Sequence, residues 1–280
     1  MSINTSTQAV QPAYILGNAP TAELRLELLN ELTSDPFIEA MKLLPHENMR
    51  IVLIGCGSGH LEARLSKLFT NSAFVGIDIS AARLEEAKAR VAELKTNNTY
   101  EFIQADLTTM SPSSIEPCDI LISRFVLSHL PEPQAIFNRF FSIIKPGGYV
   151  CIEEGVSDGN EYYCNTQNSG YQTFLNLVDL QRQAQNSAFD IGFDFLSNLL
   201  ANLPAKYLHC HITQPILLSA RHKSIIRLGA EEAKATVLKY HDAKEVDDMI
   251  SSLIEFEQDD KAFGLYMRFL AMIFQKIQTE

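Results

Sequence analysis

The stretch Ile51-Val-Leu-Ile-Gly55-Cys-Gly57-Ser-Gly59-His60 decides how this chain is read. Its apolar residues form a short buried strand, and glycines at alternate positions stop it. Glycine is needed where the backbone takes φ > 0 or where a Cβ would hold a ligand away, and the loop N–H groups then point at a bound molecule. Working outward, Ala73-Phe-Val-Gly-Ile77 is the next apolar run, and Asp78 ends it. An acid about 20 positions beyond a glycine-rich βα turn is placed to accept both hydrogen bonds of a ribose diol. Together the two features predict a nucleoside cofactor.

The glycine spacing selects among nucleoside cofactors. The dinucleotide fingerprint is Gly-x-Gly-x-x-Gly, and His60 stands where its third glycine belongs. Gly-x-Gly-x-Gly with an acid ending the second strand resembles instead the class I S-adenosylmethionine (SAM) dependent methyltransferases. Further matches follow in that family's order. Gln104-Ala-Asp106-Leu107 resembles its adenine-contacting segment. Cys118-Asp-Ile-Leu-Ile-Ser-Arg-Phe-Val-Leu-Ser-His129-Leu-Pro-Glu-Pro133 resembles its fourth strand and the loop beyond, and Ile144-Lys-Pro-Gly-Gly148 resembles the entry to its fifth. The likeness covers residues 14 to 155 and thins after that. It implies an α/β, Rossmann-like fold: a mostly parallel seven-stranded sheet flanked by helices, with N-terminal helices and a helical cap inserted after strand 5. It implies SAM as cofactor, S-adenosylhomocysteine as product, and no metal.

Composition narrows the partners. The chain has 280 residues and a formal net charge of −11, with no basic run. Clustered Lys and Arg supply sequence-independent affinity for nucleic acid, so a nucleic-acid partner is not expected. Five cysteines, Cys56, Cys118, Cys151, Cys164 and Cys210, show no paired spacing, the pattern of a reduced, cytoplasmic protein. The N-terminal residues lack basic and apolar signal regions, and no apolar stretch is long enough to span a bilayer. A soluble protein without a membrane partner is expected, and the oligomeric state, monomer or homodimer, is left open.

Residues 1–13 are polar and aperiodic and read as a mobile tail ahead of a single domain at 14–280. Within it, 14–48 read as N-terminal helices. Leu24, Leu28 and Leu32 mark the first, and Ser34-Asp35-Pro36 is set to cap and start a second that carries Phe37, Ile38, Met41 and Leu44. Residues 49–155 form the SAM-binding core, with strands near 51–54, 73–78, 100–105, 119–123 and 149–153. The helix after strand 2 has Ser80 as N-cap, Leu84, Ala87, Val91 and Leu94 on one face, and Glu86 and Arg90 at i,i+4 on the other. Ile136, Phe137, Phe140, Phe141 and Ile144 make the inward stripe of the helix before strand 5, which Pro146-Gly147-Gly148 ends. Residues 156–204 read as the helical cap. Residues 205–280 complete the sheet: Lys206–Thr213 alternates as a strand, 230–239 and 246–256 read as helices, and 263–274 is a last strand or a helix.

The resemblance assigns Gly55, Cys56, Gly57 and Gly59 to the methionyl part of SAM, Asp78 to the ribose, Ile79 to the adenine face, and Asp106 and Leu107 to the adenine edge. Arg124 and Phe125 follow strand 4, at the carboxyl edge where open α/β sheets bind ligands, and are expected to line the cofactor. Tyr14 and Arg25 resemble an N-terminal stretch that folds over the cofactor in some small-molecule members, with Arg25 facing the methionyl carboxylate. His129 and Glu153, with Glu154 beside it at the mouth of strand 5, are the candidates for proton transfer from an acceptor. His209 and His211 share a strand face, but no third ligand of suitable spacing accompanies them. No Gly-x-Ser-x-Gly elbow surrounds Ser123 or Ser128.

Methyl transfer from a sulfonium is an in-line displacement, so holding the acceptor in a dry pocket is the main task. Ser123-Arg-Phe-Val stands where enzymes that methylate amino groups of DNA or glutamine carry Asn/Asp-Pro-Pro-Tyr, which argues against such acceptors. His129-Leu-Pro-Glu-Pro133 and Lys145-Pro-Gly-Gly148 are similar to methyltransferases of quinone biosynthesis and natural-product tailoring. The sequence therefore predicts methyl transfer to a small organic acceptor. A non-catalytic SAM- or S-adenosylhomocysteine-binding module, an enzyme acting on a protein or other acceptor, and an NAD(P) oxidoreductase are the alternatives.

Overall fold

A computed structural model of the chain describes residues 20–156, 163–168, 170–172, 174, 193–201, 203–238 and 241–277. The core alternates β1 (Arg50–Ile54), α2 (His60–Leu65), β2 (Ala73–Asp78), α3 (Ala81–Ala92), β3 (Thr99–Gln104), β4 (Cys118–Arg124), α4 (Pro133–Phe141) and β5 (Ile144–Val156), preceded by α1 (Pro20–Met41). After it come α5 (Phe193–Ala201), β6 (Ala205–Thr213), β7 (Ile216–Leu217), α6 (Ala220–Val237), α7 (Ala243–Gln258), β8 (Gly264–Leu265) and β9 (Arg268–Lys276). Seven strands form one sheet in the order β3-β2-β1-β4-β5-β9-β6. β1 to β5 are mutually parallel, and β9 runs antiparallel between β5 and β6. This is the α/β architecture expected from the sequence.

Period-2 alternation sends the strand residues to two cores. Val52, Ile54, Val75, Ile77, Leu121, Val150, Ile152 and Phe274 face one side and meet the stripe of α4, Ile136, Phe137 and Phe140, together with Leu196 and Leu199 of α5. Ile51, Leu53, Phe74, Ile120, Ile122 and Ile273 face the other and meet Phe37 and Met41 of α1 and Leu61 and Leu65 of α2. A third cluster joins Leu28 and Leu29 of α1 to α6 and α7 through Ile225, Ile226, Met249, Leu253 and Phe256. Phe269, at the start of β9, belongs to it, and Phe125, just past β4, packs against it. The α6–α7 pair therefore sits at the carboxyl edge of the parallel strands.

Several elements depart from expectation. The N-terminal segment is one helix, not two, and Pro36 lies inside it. An interior proline costs a helix about 3 kcal/mol. Here Leu28 and Leu29 on one side of it and Phe37 and Met41 on the other are anchored in different cores, so packing holds both halves in line. Ile144 begins β5 and does not end α4, and Pro146-Gly147-Gly148 lies within that strand. Most of the expected cap at 156–204, like the tail at 1–13, lies outside the described residues. Of its described residues, α5 packs on the sheet face, while Tyr171 and Phe174 join α6 and α7, the pair inserted between β6 and β9, over the carboxyl edge. Arg268–Lys276 is a strand because β5 and β6 both pair with it. Ser80 caps α3 as expected, its Oγ accepting from the Arg83 amide.

Candidate active site

Three glycines with positive φ follow β1: Gly55 at 66°, Gly57 at 57° and Gly59 at 75°. They are bare for two different reasons. A Cβ on Gly55 would stand 2.2 Å from Val126 Cγ2, in the loop after β4, and one on Gly59 would stand 2.9 Å from the Ala87 backbone of α3. A Cβ on Gly57 would meet nothing within 4 Å. Packing explains the outer two, and the middle one presents bare backbone to open space. That is the geometry of a cradle for a ligand that must approach the main chain.

Asp78 closes this cradle. Its Oδ2 accepts from the Gly57 amide at 2.8 Å and its Oδ1 from the Ser80 amide at 2.9 Å, so the carboxylate is fixed beside the loop. Each oxygen keeps a lone pair for a further donor. Ile79, next to it, is 53% exposed, an apolar face turned outward at the end of a buried strand. Beyond β3, Asp106 Oδ1 accepts from the Thr108 amide and hydroxyl at 2.8 and 2.7 Å, and the buried Leu107 offers its carbonyl to Arg139 of α4 at 2.9 Å. Cys56 packs under the loop, its thiol pushed far up by burial and by the nearby acids Glu62 and Asp78.

The loop after β4 is built differently. Arg124 Nε donates to Glu153, and its Nη1 and Nη2 reach Asn30 and Thr33 of α1. The guanidinium expected to line the cofactor thus turns inward, stacked over the Phe125 ring at 4.5 Å. Phe125 takes φ 57°, a left-handed conformation rare for a bulky residue. Glu153 and Glu154, expected at the mouth of the strand, are both fully buried, because β9 pairs with β5 as far as Val156 and extends the sheet past them. Glu154 Oε1 accepts from the amides of Val126 and Leu127 at 2.9 and 2.7 Å and holds the loop in its strained turn. Burial pushes Glu154 up to about 7. His129 ends a single 3₁₀ turn at Leu127–His129, and desolvation, with the charge of Arg25, pushes it down to about 4.

Arg25 is buried in α1. Its Nε donates to both carboxylate oxygens of Glu232 in α6, at 2.9 and 3.1 Å, while its Nη2 has no partner. Tyr14, expected beside it, lies outside the described residues. Two features went unread in the sequence. Glu23 of α1 accepts from Arg83 and from Arg90 at 3.2 Å and lies 3.1 Å from His60 Nε2, fastening the helix to the cradle. Arg90 also donates to the Ser58 carbonyl at 2.9 Å, so the expected Glu86–Arg90 pair does not form and Glu86 pairs with Arg83 at 3.2 Å. Glu62, the third residue of α2, is fully buried and neither of its oxygens has a hydrogen-bond partner. A charged residue beside the glycine run was the one available signal for either. His209 and His211 hydrogen-bond to each other at 3.0 Å, away from this edge on β6.

Comparison with known proteins bears on the same segment. The profile of the methyltransferase domain family matches residues 45–214, which take in the cradle, Asp78, Asp106 and the Lys145–Gly148 turn. The chain belongs to this family. Among curated relatives, trans-aconitate 2-methyltransferase of Methylobacterium radiotolerans is 30% identical over 42% of this chain and 43% of that protein. A ubiquinone biosynthesis O-methyltransferase of Cupriavidus pinatubonensis is 28% identical over 51% of this chain and 60% of that protein. The chain thus spans about half the length of the curated relatives it matches. A SAM-dependent methyltransferase from Methanosarcina mazei superposes with a TM-score of 0.55 at 16% identity, over 87% of this chain and 98% of that one, a likeness of fold.

Proposed function

We propose that this methyltransferase-family chain transfers a methyl group from SAM to a small organic acceptor, in the cytoplasm and without a metal. The observation that carries the reading is Gly57, a left-handed glycine in open space beside a carboxylate fixed at the end of β2. The names of the relatives, both acting on small molecules, and the net charge of −11 support the acceptor class.

Bound SAM would supply an electrophilic methyl on a positively charged sulfur. The chain's own work is to bind, orient and exclude water. Gly55, Cys56, Gly57 and Gly59 form the surface for the methionyl part, Asp78 has acceptor capacity left for the ribose hydroxyls, and Ile79 offers its exposed face to the adenine. Asp106 and Leu107 border the adenine edge. The unpartnered Nη2 of Arg25 is the group for the methionyl carboxylate, while Arg124 contributes by holding Phe125 and the loop after β4. His129 is uncharged at pH 7, yet a base with so low a pKa abstracts protons weakly, so orientation carries most of the rate.

Calorimetry with SAM tests the reading: the native chain binds, and Asp78→Ala loses about tenfold or more in affinity, in line with a lost charge-assisted hydrogen bond. Labelled SAM mixed with a metabolite extract then passes its methyl to a small molecule. Label that stays on the cofactor would mark a binding module instead.

A further inference from the structure

Beneath the glycine cradle the charges do not balance. Glu62 sits in the first turn of α2, three residues after the Gly59 N-cap, fully buried and with both carboxyl oxygens unpartnered. Among the described residues, the ionisable groups that act on it are the Cys56 thiol, from the loop, and the Asp78 carboxylate, from β2. Neither is a cation. The cations packed nearby on α3 are committed elsewhere: Arg83 to Glu23 and Glu86, Arg90 to Glu23, His60 and the Ser58 carbonyl. A buried acid with no positive partner keeps its proton, and burial holds Glu62 up at about 8. The floor of the cradle is therefore arranged for a positive charge that the described chain does not provide.

We propose that Glu62 is the counter-charge for the cationic end of the methyl donor. In the ligand-free protein it is a neutral carboxylic acid. When a positively charged ligand settles on the glycines above it, its O–H bond breaks, the proton passes to solvent, and the carboxylate faces the ligand's ammonium and sulfonium. After transfer the sulfur is a neutral thioether, the attraction weakens, and Glu62 regains a proton from solvent as the product leaves. The arrangement selects a charged donor over a neutral nucleoside. It rests on the SAM reading above.

The test is calorimetry at pH 7 in two buffers of different ionisation enthalpy, with SAM and with adenosine, which shares the nucleoside and lacks both positive groups. SAM binding to the native chain should release close to one proton, and adenosine binding none. In Glu62→Gln the release should vanish and SAM affinity should fall about tenfold at pH 7, the effect of about two pK units of coupling on a group that starts near 8, with adenosine affinity unchanged. SAM and adenosine both binding to the native chain with no difference in proton release would overturn the role of Glu62 and leave the cofactor reading standing. Binding of neither ligand would overturn the cofactor reading and the inference with it. The comparison on the native chain decides the matter even where Glu62→Gln does not fold.

Discussion

The two halves of the sheet's carboxyl edge are finished in opposite ways. After β1 and β2 the chain offers bare backbone, an outward-facing isoleucine and acids without cations. After β4 and β5 it offers a buried ion pair, an aromatic ring under a guanidinium and a carboxylate that caps two amides. In the first half Glu62 has neither carboxyl oxygen bonded, whereas in the second Glu153 and Glu154 each have one oxygen bonded and one without a partner. A carboxyl group bonded at neither oxygen suits an exchanging ligand, and carboxylates tied through one oxygen suit a wall that must keep its shape. Buried polar groups are stable only when partnered, so a carboxyl group with both oxygens unpartnered marks where something else is meant to bind.

The largest test of this contrast is Arg124→Ala, which strands Glu153 in the core. Breaking a buried pair by removing one partner costs about 3–5 kcal/mol, read as a lower urea midpoint. A loss under about 1 kcal/mol would mean the wall does not depend on the pair. Gly55→Ala should follow, at about 2–4 kcal/mol, because the new methyl would collide with Val126 and sit at positive φ.

Next comes pH. Folding raises Glu154 to about 7 and Glu62 to about 8 from an ordinary 4.5, so the folded chain keeps protons that the unfolded chain has lost. The stability they contribute is full below about pH 4.5 and falls away as pH climbs through 7 and 8. The melting temperature should drop by several degrees between pH 5 and pH 8, and Glu62→Gln should flatten that slope. A melting temperature that rises over this range in the native chain and is unaltered in the variant would sink the assignment.

Gly57→Ala is the smallest in stability, about 1 kcal/mol from its left-handed φ alone, since its methyl meets no protein atom. Its SAM affinity should nevertheless fall by more than that of Gly55→Ala once both are corrected for folding, because only the Gly57 methyl projects into the ligand's space. Equal affinities would erase the distinction between packing glycines and the cradle glycine.

The strands were legible because apolar runs at 51–54, 73–77 and 119–123 have few other ways to be buried, and the cradle because glycines at 55, 57 and 59 have few other uses. The anchored half was not. Glu153 and Glu154 look like solvated acids at a strand end until β9, more than a hundred positions later, extends the sheet past them. Pro36 reads as a helix start because the two cores that hold α1 straight are assembled from distant residues. Arg90 was matched to its neighbour Glu86 because local spacing cannot show a Ser58 carbonyl in need of a donor. Local chemistry is readable one segment at a time, and partners chosen across the fold are not.

The contact between Gly55 and Val126 has a mechanical consequence. With no room for even a methyl group, the two loops mesh like gear teeth, one rooted in the receptive half of the edge and the other in the braced half. A displacement of tenths of an ångström in the first would press on the second, whose backbone is held by Glu154. The close fit gives occupancy on one flank a direct steric route to the other.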